Sequence, residues 1–113
     1  MEVWGLFYPR DPPVAGDPIV IDVGDVWGPG DIEPRRGTKI VWRVTGEGDF
    51  SVEAHGPGGA VVPPFFEEEH LGSMWARPGD EWGTAWEFPE PGCWTFLVQR
   101  GNETAQISIE VRT

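Results

Sequence analysis

Cys93 is the only cysteine in the chain, and His55 and His70 are the only histidines. A thiolate beside an imidazole would make a nucleophile and its base. The alternation Cys93, Thr95, Leu97 against Trp94, Phe96, Val98 puts the thiol on the strand face opposite the aromatic one. No loop or helix N-terminus stands there to lower its pKa, so the expectation is a structural cysteine, no catalytic residue and no enzyme. The run Glu67-Glu68-Glu69-His70, with His55, offers hard oxygens and imidazoles. Three adjacent acids on one helical turn point in different directions, so at most two converge on an ion. A solvated acidic turn is expected; His55, Glu67, Glu69 and His70 remain the weak metal candidates, and no cofactor is implied. The same carboxylates lack the placement across a sugar that a glycosidase requires. Gly28-Pro29-Gly30 and Gly56-Pro57-Gly58-Gly59 lack the strand and helix context of a phosphate cradle. Asn102-Glu103-Thr104 matches a glycosylation sequon, but it sits where a hairpin turn is expected.

The tryptophans carry the stronger signal. There are seven in 113 residues. Trp42, Trp86 and Trp94 fall on alternating strand positions suited to a core, whereas Trp4, Trp27, Trp75 and Trp82 lie near turns. Those four, with Phe65 and Phe66, are the candidate binding residues. Exposed indoles beside carboxylates can stack on pyranose rings while the acids bond hydroxyls. The competing reading is packing, with a domain poor in aliphatics using indoles wherever loops fold back on its sheets. A third possibility is a proline-stiffened segment, Val61-Val62-Pro63-Pro64-Phe65-Phe66, entering a protease cleft at low entropic cost.

The elements that must position these residues are short. Sixteen glycines and twelve prolines leave little room for a helix of three turns. The length suits a single domain spanning residues 1–113. About eight strands are expected: Val3 to Tyr8, Ile19 to Val23, Thr38 to Val44, Phe50 to His55, Met74 to Ala76, Trp82 to Phe88, Trp94 to Val98 and Ile107 to Val111. Between them, Pro9 to Pro13 reads as a stiff connector, Gly24 to Gly37 as a loop, and Phe65 to Leu71 as one helical turn. Gly46 to Asp49 is expected to close a hairpin between the third and fourth strands. The sum is an all-β Greek-key sandwich, immunoglobulin-like or cupredoxin-like.

Charge excludes one class of partner. Nineteen acidic against eight basic side chains give a net charge of −11, which repels phosphate backbones, so no nucleic-acid partner is expected. A lone cysteine forms no internal disulfide, and no apolar run is long enough to insert into a membrane. The start, Met1-Glu2-Val3-Trp4, has neither the basic nor the apolar region of a signal peptide.

The segment Trp86-Glu87-Phe88-Pro89-Glu90-Pro91-Gly92-Cys93-Trp94-Thr95-Phe96, followed by Gly101 and Ile107-Ser108-Ile109-Glu110-Val111, resembles the end of uncharacterised bacterial exported or lipoprotein-type domains that finish in a Phe-Pro-x-Pro-Gly-Cys-Trp hairpin. That resemblance implies an extracytoplasmic location. Gly37-Thr38-Lys39-Ile40-Val41-Trp42 and Pro91-Gly92-Cys93-Trp94 are similar to steps of cupredoxin-like sandwiches. No histidine follows Cys93, so a blue-copper site is not implied. The function expected is a non-enzymatic, extracytoplasmic module that binds a protein partner by a sheet edge or by the loop from Gly56 to Gly72. A carbohydrate-binding module is the alternative, and a proteinase inhibitor the weaker one.

Overall fold

The computed structural model describes residues 1–7, 19–70 and 78–112. Among them are ten strands: β1 (Val3–Leu6), β2 (Val20–Asp22), β3 (Gly24–Val26), β4 (Arg35–Val44), β5 (Phe50–His55), β6 (Val61–Val62), β7 (Phe66–His70), β8 (Asp80–Glu87), β9 (Gly92–Arg100) and β10 (Glu103–Arg112). They form two packed sheets. The first runs β1-β4-β8-β7, with β3 beside the start of β4; the second runs β2-β10-β9-β5-β6. The fold is therefore an all-β sandwich.

Three expectations about elements are corrected. Gly24 to Gly37 is not one loop: β3 pairs Gly24 with Gly37 and Val26 with Arg35, and the loop shrinks to residues 27–34. Val26 is buried at 5% exposure on the sheet face it shares with its partner Arg35. β2 and β3 are consecutive yet belong to opposite sheets, so the chain crosses at Val23, a sandwich corner. β4 and β5 do not form a hairpin. β4 pairs with β8, and β5 pairs with β9 and β6, so Gly46 to Asp49 carries the chain between sheets. Trp42 and Val44 on β4 and Val52 and Ala54 on β5 then cover the same core from opposite sides. Phe65 to Leu71 does not turn as a helix; β7 pairs with β8 from Phe66↔Ala85 to His70↔Glu81. The Pro9 to Pro13 connector, the Met74 to Ala76 strand, Leu71 and Gly72 lie outside the described residues.

Strand alternation fills the core as expected elsewhere. Ile40, Trp42 and Val44 face Trp82, Trp86 and Phe88 along the first sheet, and Trp94, Phe96, Val98, Ile109 and Val111 close it from the second. Phe96 is the hub, with edge-on contacts to Trp42 and Trp86 at centroid distances of 5.3 and 4.9 Å. Aromatic pairs of this kind add about 0.5–1.5 kcal/mol beyond area burial. Every deeply buried side-chain nitrogen or oxygen among the described residues has a hydrogen-bond partner. The Pro91-Gly92 corner works mechanically: Gly92 has φ +132°, and a Cβ there would come within 2.7 Å of Pro57 Cγ. The Trp94 indole then donates to Glu90 O at 3.0 Å, tying the strand to its own turn. Gly37 meets a tighter limit, because a Cβ would overlap the Trp86 carbonyl.

Candidate functional site

One end of the sandwich gathers the ends of β3 and β8 and the starts of β4 and β7. The 27–34 loop is folded there by Asp31, whose Oδ2 accepts from Gly28 N at 2.9 Å and from Arg35 Nε at 3.3 Å. Asp31 N in turn donates to Gly28 O at 3.1 Å, closing a tight turn. Two apolar side chains are left in water: Trp27 at 52% exposure and Ile32 at 92%. Gly28 packs on Phe65, where a Cβ would stand 3.0 Å from Cε2. The Arg35 guanidinium lies 4.4 Å over the Phe65 ring, and its Nη1 reaches Glu87 Oε2 at 3.5 Å. Stacking flattens the arginine against the ring and leaves its charge at the rim.

Shallow clefts flank this cluster. One of about 300 Å³ is lined by Val62, Pro63, Phe65, Glu87 and Pro89. The other, about 360 Å³, lies between Gly24 to Trp27 and Gly37 to Lys39. The surface offers apolar contact ringed by paired charges.

The other sequence candidates are dispersed. Trp82 is corrected from a partly open turn residue to a buried one at 8% exposure, stacked on Phe50 at 4.3 Å and beneath the Arg100 guanidinium. Its place in the Trp82, Thr84, Trp86 alternation aims it inward. Trp4 is half-buried and pairs with Arg43, eight positions along β4 from the Arg35 that partners Val26. At about 3.3 Å per residue, Trp4 and Trp27 are separated by roughly 26 Å along the sheet. Trp75 lies outside the described residues. The structure therefore does not bring Trp4, Trp27 and Trp82 onto one platform. Phe65 belongs to the loop end, and half-buried Phe66 begins β7.

The weak metal candidates do not converge either. On a strand, Glu67 and Glu69 share one face of β7 while Glu68 and His70 take the other. His55 stands on the second sheet, bonded to Glu53 Oε1 at 2.9 Å. No group of three or more His, Cys, Asp or Glu side chains among the described residues could hold a metal ion. Cys93 is exposed, and no hydrogen bond joins it to either histidine. The proposed inhibitory segment crosses between sheets: Val61 and Val62 pair in the second, Phe66 in the first, and Phe65 N donates to Ala85 O at 2.9 Å. Two members of the loop end escaped sequence reasoning, Ile32 and Arg35. The available signal for Ile32 was an aliphatic residue alone among turn formers, in Gly30-Asp31-Ile32-Glu33-Pro34.

The fold and its loop end define an all-β sandwich with an apolar, charge-rimmed surface. The chain matches no family model, no curated protein and no solved structure. No helix among the described residues is long and apolar enough to cross a membrane.

Proposed function

We propose that the chain is a non-enzymatic module, working outside the cytoplasm, that docks a protein partner through its loop end. One observation carries the reading: Trp27 and Ile32 are both exposed on a single loop pinned by Asp31 and backed by the Arg35–Phe65 stack. A large aromatic and an aliphatic anchor beside an arginine, surrounded by polar groups, is the composition of an interface hot spot. A pinned loop also loses little entropy on docking. The net charge of −11 favours a partner with a basic surface and speeds encounter with it. The extracytoplasmic placement rests on the resemblance of the Phe-Pro-x-Pro-Gly-Cys-Trp hairpin to exported domains. Carbohydrate binding through several indoles draws less support, since Trp27 stands apart from Trp4 and Trp82.

The test is to pass a cell-envelope extract over the immobilised chain, in parallel with a Trp27→Ser/Ile32→Ser variant and a glycan array. Saturable retention of one protein by the parent chain, lost in the variant, supports the proposal. Equal retention by both chains, or glycan binding with no protein retained, contradicts it.

A further inference from the structure

The outer face of the first sheet carries a separate cavity. β8 runs between β4 and β7, so Val41, Gly83 and Glu68 form one cross-strand row and Arg43, Glu81 and His70 the next. The flanking strands stand about 10 Å apart, and the glycine between them leaves a trough. Its volume is about 220 Å³, and Lys39, Val41, Phe66, Glu68, His70 and Gly83 line it. That is smaller than the roughly 300 Å³ at which drug-sized pockets begin, a volume suited to a molecule of amino-acid size.

The trough has a fixed polar group. A Cβ on Gly83 would lie 2.6 Å from both Cε1 and Nε2 of His70, so the imidazole leans over the bare glycine. His70 Nδ1 bonds Glu81 Oε2 at 2.8 Å, and Arg43 Nη1 stands 3.8 Å from the other oxygen. Glu81 is only 6% exposed although it lies on an outer sheet face. The bond to Glu81 orients the ring, and in the tautomer with hydrogen on Nδ1 the Nε2 over Gly83 is an acceptor at the trough floor. Lys39 and Glu68, on opposite walls, form no ion pair with any described residue. Among the described residues, a cation and an anion without an ion-pair partner thus face each other across a floor walled by Val41 and Phe66.

We propose that this trough binds a small apolar zwitterion, an α-amino acid of the leucine kind. Lys39 takes the carboxylate, Glu68 and His70 Nε2 take the ammonium, and Val41 and Phe66 cover the side chain. The site is independent of the loop end.

The test is an amide chemical-shift titration of the whole chain with L-leucine, leucinamide, 4-methylvalerate and glucose. Saturable shifts at Val41, Glu68 and Gly83 are expected with L-leucine, with affinity weaker by about tenfold for either singly charged analogue. Lys39→Gln should abolish the preference over leucinamide, and Glu68→Gln the preference over 4-methylvalerate. Both side chains are exposed, so both variants keep the fold. No saturable shift with L-leucine up to about 20 mM, equal affinity for all three charged probes, or shifts with glucose alone would overturn the proposal.

Discussion

The Thr84 hydroxyl accepts the Trp42 indole N–H at 3.0 Å, and the same oxygen accepts from Trp86 at 2.7 Å while donating to Ile40 O at 2.7 Å. One small polar atom thereby satisfies two fully buried tryptophans and a strand carbonyl. Thr84→Val preserves shape but orphans both indole donors, at roughly 1–3 kcal/mol each. Urea unfolding should show a loss of about 2–5 kcal/mol, whereas Thr84→Ser, which keeps the hydroxyl, should cost only about 1 kcal/mol for its missing methyl.

Arg100 closes the opposite end. Its Nε donates to Gly48 O at 2.7 Å and its Nη2 to Asp80 Oδ2 at 2.7 Å, with the guanidinium 4.8 Å from the Trp82 ring centroid. These contacts tie the β4–β5 crossover to β8 and β9. A planar fork is needed to reach both acceptors while lying on an indole. Arg100→Lys should therefore destabilise almost as much as Arg100→Met, each by about 2–3 kcal/mol in thermal or urea unfolding. Full rescue by lysine would show that charge alone matters there.

Glu67 lies on the face of β7 that adjoins Thr84, and desolvation holds its carboxyl above the usual value. A raised carboxyl pKa means the folded chain binds this proton more readily than the unfolded chain. The side chain is compatible with folding when neutral, and it opposes folding increasingly as pH rises through its folded pKa. Glu67→Gln should raise the melting temperature at pH 7, and the gain should vanish on acidification below the ordinary glutamate range. A constant difference at every pH would assign the effect to packing instead.

Much of the fold was legible because the long strands announce themselves. The alternations Ile40-Trp42-Val44, Trp82-Thr84-Trp86-Phe88 and Trp94-Phe96-Val98 place large residues on one face, and those faces are the core. Alternation fixes which face is buried but not which strand lies alongside, so the crossover between β4 and β5 read as a hairpin. β7 was hidden for a different reason. It is an edge strand carrying Glu67 and Glu69 toward the sandwich side, a charge pattern that discourages further pairing and erases the apolar period. Trp82 was ambiguous, being close in sequence to a turn yet in phase with the core. The loop end was only half visible, since Trp27 and Phe65 stand out by type while Arg35 gains its place from contacts with residues 30 and 52 positions away.

Both anchors of the proposed docking surface are solvent-exposed, so Trp27→Ser/Ile32→Ser should leave the melting temperature within about 3 °C of the parent, as surface changes of this kind cost within about 0.5 kcal/mol each. An unfolded variant would instead make them structural residues.

The most direct measurement of the central claim is calorimetric titration of the retained envelope protein against the parent chain and this double variant. Docking through the loop end predicts an affinity loss of about 30-fold or more, corresponding to at least ~2 kcal/mol from two hot-spot side chains. An unchanged dissociation constant in the folded variant would contradict it.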